Sequence, residues 1–283
     1  MEPINEIFSA SLSNEDFARL SSFIYSHYGI KMPPIKKIML QSRLQRRLRE
    51  LNIPSFKEYV DFVFSEAGME NEVIHMIDVV STNKTDFFRE PHHFDFLTGS
   101  ILPQFVQENP QGSVLKVWSA GCSSGEEPYT IAMVISDFKE KNPMIEFKIF
   151  ASDISTKILK EAIEGIYRET TVENLPLEIK RKYLLKSKDR TAQKIRVIPE
   201  LRKKVSFSRI NFMDNDYHSP DDFHVIFCRN VLIYFERETQ EKVIQKLCSK
   251  LRTGGYFFLG HSESITGMNV PLVQLKPTIF RKK

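Results

Sequence analysis

From Val114 onward the chain alternates apolar runs of strand length with amphipathic segments of helix length, and no other feature limits the fold as much. VLKVWS (114–119) reads as a buried strand and GEEPYTIAMVISDFKE (125–140) as a helix. FKIFASD (147–153) is a second strand, and STKILKEAIEGIY (155–167) a second helix. VSFSRINF, FHVIFCRN and YFFLG follow as strands, with the helix 236–252 between the last two and Thr253-Gly254-Gly255 expected to stop it. This spacing predicts a parallel, doubly wound sheet. One stretch breaks the alternation. Residues 183–208 are basic and polar, with the strand-like pieces KIRVI and KVSFS. They read as a small antiparallel insertion or as a long connection.

Residues 1–80 carry helical signals only. Ser13 with Asp16 forms a capping box, and Phe17, Leu20, Ile24 and Tyr28 share the face behind it. Leu40, Leu44, Leu48 and Leu51 mark a second helix, and Ser55 with Glu58 caps a third. Ile74, Ile77 and Val80 suit a short fourth. The expected organisation is a helical domain (1–80), a linker (81–91) and an α/β domain (92–283) with its insertion at about 183–208. No apolar run approaches the ~18 residues of a membrane span. The N-terminus lacks the basic and apolar regions of a signal peptide. Cys122, Cys228 and Cys248 form no CxxC pair, which points to free thiols in a reducing, cytoplasmic setting. A net charge of +4 does not by itself argue for nucleic acid.

In an open parallel sheet, ligands bind at the carboxyl ends of the strands, and the first strand–helix turn is the usual place. Here that turn is Ala120-Gly121-Cys122-Ser123-Ser124-Gly125, whose small residues allow close backbone approach. The next strand ends in Asp153, where a carboxylate can accept from ribose hydroxyls. Together they indicate a nucleoside-containing cofactor. Ala120 and Cys122 stand where a dinucleotide fingerprint needs glycines, and GCSSG is closer to the loop of S-adenosylmethionine enzymes. A later strand ends in Cys228-Arg229-Asn230, with Tyr234 a turn beyond. Taken alone, Arg229 would read as a structural ion-pair partner and Tyr234 as a half-buried aromatic. In the linker, Phe87-Phe88 suggest a segment packed down with Asn83, Thr85 and Arg89 aimed over a cofactor. His92 and His93 are adjacent and so would not face one site, and no metal site is expected.

STNKTDFFREPHHF, VWSAGCSSGEEPYTIAM, FASDIS, GIYRE, FCRNVLIYF and GGYFFLGHSES together resemble the CheR-type chemotaxis receptor methyltransferase family, in the family's order and over most of the chain. The resemblance implies a Rossmann-like S-adenosylmethionine-dependent methyltransferase domain with a small antiparallel β-subdomain, preceded by an all-helical domain. It implies transfer of a methyl group from S-adenosyl-L-methionine to glutamates on the cytoplasmic helices of chemoreceptors, leaving S-adenosyl-L-homocysteine. Carried over by motif, the cofactor would be held by Asn83, Thr85, Arg89, Glu127, Asp153, Asn211, Phe212, Asn230 and Val231. Arg89 and Tyr234 would face the reacting centre. The stretch 187–194 has no glycine, which argues against a β-subdomain that grips a receptor pentapeptide.

Between Lys31 and Leu51 seven basic residues face one acid. Helical spacing puts Lys36, Arg43 and Arg47 on one stripe, with Arg46 adjacent. The resemblance raises this stripe from a solvated face to a docking surface for an acidic receptor helix. The expected protein is a monomer with neither nucleic acid nor inserted membrane among its partners. Two other readings compete. A non-catalytic S-adenosylmethionine-binding regulator would be favoured by loss of Arg89 or Tyr234, and both are present. A small-molecule carboxyl methyltransferase would not need the basic helix.

Overall fold

The computed structural model describes residues 11–283. Its N-terminal part is built from α1 (Asn14–Tyr28), α2 (Lys37–Leu51), α3 (Phe56–Val63) and α4 (Glu66–Val80). The expected caps form: Ser13 Oγ accepts from Asp16 N at 2.9 Å, and Ser55 Oγ from Glu58 N at 3.2 Å. Phe17, Leu20, Ile24, Leu40, Leu44, Leu48 and the apolar faces of α3 and α4 close on one another in a separate core. α4 is a full 15 residues, longer than the short helix expected.

After the short α5 (His92–Phe96), a π-helical turn and α6 (Leu102–Glu108), the alternation begins. In chain order come β1 (Ser113–Ala120), α7 (Glu126–Lys141), β2 (Ile145–Asp153), α8 (Thr156–Glu164) and β3 (Ile166–Arg168). Then follow α9 (Leu177–Tyr183), β4 (Leu184–Lys186), β5 (Lys194–Val197), α10 (Pro199–Arg202) and β6 (Val205–Arg209). β7 (Phe223–Cys228), α11 (Arg237–Lys250), β8 (Leu251–Leu259), β9 (Leu272–Lys276) and β10 (Ile279–Lys282) complete the chain. The main sheet has the order β6-β2-β1-β7-β8-β10-β9. β6, β2, β1, β7 and β8 pair in parallel, and β10 runs antiparallel to both β8 and β9. The strand order reverses between β1 and β7, and there the loops leaving the strand ends splay apart to open a crevice. Side chains alternate across β1. Leu115 and Val117 pack with α6 and α7, while Trp118 and Ala120 pack on the other face with α11.

Several expectations change. The expected helix 155–167 ends at Glu164, with Ile166 and Tyr167 in β3, and the expected parallel sheet carries an antiparallel edge of β10 and β9. The small sheet, ordered β3-β5-β4, starts at Ile166 and not near 183, and KVSFS is absent from it. Instead Val205–Arg209 pairs in parallel with Ile149–Asp153 as an edge of the main sheet. Its alternation suits either sheet, and the main sheet has a free edge at β2. The Gly pair at 254–255 does not stop a helix either. α11 ends at Lys250, and the glycines lie inside β8, close to a register irregularity opposite Phe223 and Val225.

The helical part packs against the α/β part along two seams. The end of α1 meets the turn after β7: Lys31 N donates to Tyr234 O (2.9 Å), and Tyr25 Oη to Glu236 (2.7 Å). At the end of α4, Asp78 accepts from Thr156 Oγ1 (3.0 Å) and Lys157 N (3.4 Å), which places a carboxylate at the N-terminus of α8.

Candidate functional site

The crevice at the β1/β7 reversal is a cleft of about 450 Å³, within the usual range of small-molecule sites. Its floor begins with the loop after β1. Gly121 N and Cys122 N both donate to Ser152 O at 2.8 Å, and Ser123 N donates to Asp153 Oδ2 at 2.9 Å, so the loop is laid across the end of β2. Gly121 has φ +86°, and a Cβ there would lie 2.3 Å from Val231 Cγ2. Glycine is needed at this point for both reasons. Asp153 is buried. Its second oxygen accepts from Ser155 N at 3.0 Å, and burial raises its pKa against these hydrogen bonds.

Glu127 lies in the first turn of α7, with Ser119 Oγ donating to one oxygen (2.6 Å) and Arg229 Nη1 to the other (3.2 Å). Burial raises its pKa, and Arg229 opposes that rise. Arg229, at the end of β7, is itself buried. It also pairs with Glu90 at 3.3 Å, donates to Arg89 O and lies over the Phe94 ring. Asn230 follows in the left-handed region, at φ +60°.

The turn that bears Asn230 and Val231 is held by Glu263, a residue the sequence reading did not assign. Its carboxylate accepts from Asn230 N, Val231 N, Leu232 N and Gly260 N, all at 2.7–2.9 Å. Four donors on one buried carboxylate couple the turn after β7 to that after β8. Gly260 permits this, since a Cβ there would lie 2.4 Å from Asn230 Nδ2. The available signal was an acid three residues past the end of the YFFLG strand. Glu90 was missed in the same way. It lies in the FFRE motif, and its other oxygen accepts from His261 N at 3.2 Å.

The linker forms another wall. Phe87 is buried edge-on to Tyr167 (5.1 Å), and Phe88 packs on Phe94. Phe88 and Glu90 both have positive φ, held in part by Phe88 N donating to Thr130 Oγ1 at 3.1 Å. Asn83 O accepts from Ser123 Oγ at 2.9 Å, and Arg89 Nη1 donates to Lys84 O at 3.1 Å. Asn83, Thr85, Arg89, Glu127, Asp153, Asn211, Phe212, Asn230, Val231 and Tyr234 all line the one cleft. Asn211 also bridges to the helical part, donating to His27 O at 2.8 Å. Tyr28, Ile30, Met32, Lys36 and Met39 close the cleft from that side, so the helical part contributes directly to its walls.

The expected docking stripe divides. Arg46 is exposed and paired with Glu50 at 2.8 Å, and Lys36 stands on the cleft wall. Arg43 instead donates to Val80 O, Ser81 O and Thr82 Oγ1, tying down the end of α4 and the start of the linker. Arg47 is largely buried against Glu72, with Glu50 as a further partner. These two arginines are internal struts. The adjacent histidines also depart from expectation, because their rings lie 4.2 Å apart and His261 stacks on His92 at 4.9 Å.

Residues 83–280 match the family described as "CheR methyltransferase, SAM binding domain", and residues 15–81 match "CheR methyltransferase, all-alpha domain". The chain belongs to the CheR methyltransferase family. A chemotaxis protein methyltransferase of Borreliella burgdorferi is 40% identical over 96% of this chain and 95% of its own length. Chemotaxis protein methyltransferase 2 of Pseudomonas aeruginosa is 38% identical over 89% and 87%, and the Escherichia coli chemotaxis protein methyltransferase 36% identical over 90% and 86%. This CheR-family protein is therefore an S-adenosylmethionine-dependent methyltransferase. The cleft's donor set fits that cofactor. Glu127, in the first turn of α7, and Asp153, at the end of β2, are carboxylates suited to an ammonium and to ribose hydroxyls. Ile154, Ile210 and Phe212 supply an apolar surface for a purine. Among the described residues no helix is long and apolar enough to cross a membrane.

Proposed function

We propose that this protein methylates glutamate side chains on the cytoplasmic helices of chemoreceptors, forming methyl esters. The reading rests most on one observation: the cleft that fits the cofactor also carries Arg89 and Tyr234, a guanidinium and a phenol suited to a carboxylate. Bound S-adenosylmethionine supplies an electrophilic sulfonium methyl. A substrate carboxylate is already ionised at neutral pH, with a reference pKa of about 4.3, so it needs no general base. Arg89 holds that carboxylate by its fork, and the Tyr234 hydroxyl donates to fix which oxygen points inward. Asn83, Thr85, Glu127, Asp153, Asn211, Phe212, Asn230 and Val231 hold the cofactor. The linker and the helical wall exclude water, which strengthens these polar contacts. Lys36 and Arg46 give the encounter a dependence on salt. The test is incubation with labelled S-adenosylmethionine and membranes from the source organism. Base-labile methyl on a receptor-sized band is expected, and its absence would overturn the reading.

A further inference from the structure

Ile35 and Ile38 are 88% and 80% exposed, more than any other large apolar side chain among the described residues. A single exposed isoleucine needs no explanation. These two, however, stand one turn apart where a 3₁₀ turn (Pro34–Lys36) runs into α2. Their neighbours Lys36 and Met39 line the cleft. The internal packing of α2 does not use the pair, because Leu40, Leu44 and Leu48 already bury its inner face. Ile233, 48% exposed, adds an apolar side chain at the same cleft from the turn that carries Tyr234.

The charge beside the pair is positive. Lys36 Nζ donates to Lys31 O, and Lys37 Nζ to Asn14 Oδ1, so both ammonium groups are met by neutral oxygens. A partner that complements this lip is apolar at one point and anionic close by. A glutamate side chain is short, so the segment that delivers it into the cleft has to lie against the lip. An amphipathic helix has the required periodicity, with an apolar residue three or four positions from the glutamate.

We propose that Ile35 and Ile38 are an apolar anchor for the substrate. The receptor helix packs an apolar side chain on this pair while its glutamate passes Lys36 into the cleft. The inference rests on receptor helices being the substrate, and it names what selects among their glutamates beyond charge. An apolar contact of this kind acts at short range and survives salt, whereas charge pairing at the rim is screened.

The test is the full-length Ile35→Ser/Ile38→Ser variant, assayed with S-adenosylmethionine and receptor-containing membranes. The KM for receptor should rise about tenfold, as expected if the pair loses roughly half of its burial free energy. The kcat and the calorimetric affinity for S-adenosylmethionine should stay at wild-type values. The fold-loss should be equal at low and high salt, while that of Lys36→Gln shrinks as salt rises. An unchanged KM would overturn the anchor, as would a parallel fall in cofactor affinity, which would make the pair part of the cofactor wall. So would a wild-type dimer in light scattering that the variant lacks, because a second copy would then be the occupant. Failure of the wild-type protein to methylate any receptor would instead remove the substrate reading, and the anchor with it.

Discussion

Each half of the molecule buries one arginine against glutamates, and the two pairs differ in what lies beside them. In the helical half, Arg47 donates from Nε and Nη2 to the two oxygens of Glu72 (2.8 and 2.6 Å), and Tyr59 Oη donates to the same carboxylate (2.9 Å). That cluster is closed, with every strong group satisfied inside one domain. In the α/β half, Arg229 is shared between Glu90, Glu127 and a backbone carbonyl, and Glu127 lines the cleft. The same chemistry thus serves as an internal strut in one place and as the floor of a binding site in the other. A buried ion pair by itself is weak support for stability, since desolvation offsets the attraction. The second pair differs in its position, at a strand end beside the cleft.

The contrast is sharpest when the pairs are dismantled. Arg229→Met leaves two buried carboxylates without their cation and should cost roughly 3–5 kcal/mol. Calorimetry should show S-adenosylmethionine affinity down by more than about 100-fold. Adding Glu127→Leu should recover only part of the stability, since Glu90 stays unpaired, and should not recover binding, because the cleft loses a carboxylate. Arg47→Met should also cost about 3–5 kcal/mol of unfolding free energy. Here the further changes Glu72→Leu and Tyr59→Phe should restore most of it, with cofactor affinity normal in the triple variant. Loss of binding in that triple variant would show that the helical pair also shapes the cleft.

Smaller effects probe the cleft itself. Asp153→Ala removes an acceptor for ribose and also frees Ser123 N and Ser155 N, so affinity should fall by about 1.5–3 kcal/mol. Unchanged affinity in the folded variant would remove Asp153 from the cofactor site. Tyr234→Phe should slow methyl transfer by roughly tenfold, about the loss of one hydrogen bond, with affinity intact. Wild-type turnover would leave Tyr234 as packing alone.

A stability effect that leaves the cleft itself untouched is a pH dependence beside Arg229. His93 is fully buried, with Nε2 at 2.7 Å from Thr278 Oγ1. Burial, reinforced by Arg229, lowers its pKa from 6.5 to about 2. The unfolded chain therefore takes up a proton at this position as pH falls through 6.5, while the folded chain does not. Acid then removes stability that is fully present above that pH. His93→Gln lacks this titration. Its Tm deficit relative to wild type should narrow between pH 7.5 and 5, and a constant deficit would mean that His93 titrates normally in the fold.

Much of the site was legible because it is written in local order. The small-residue loop, Asp153 and CRN each sit at the end of an apolar run, and the topology brings strand ends together. The paired phenylalanines correctly indicated a packed linker. Glu263 and Glu90 were not legible, because their partners are backbone amides and an arginine 31–33 and 139 residues away in sequence. A carboxylate that binds remote backbone has no periodicity to reveal it. The helical wall of the cleft was hidden for the same reason, since Tyr28 read only as part of the face of its own helix and Met39 gave no signal.

By itself the sequence determined most of the helices and central strands, the caps at Ser13 and Ser55, the alternation behind the parallel core of the sheet and the family to which the chain belongs. Tertiary structure alone decided which sheet received Val205–Arg209, and which of the basic residues on α2 stayed outside. The physical reason is common to both. Period and propensity act over a few residues, whereas a strand edge or a long guanidinium side chain takes whatever partner the completed fold places beside it. For Arg47 that partner is Glu72, 25 positions along the chain. Ile35 and Ile38 it leaves largely exposed.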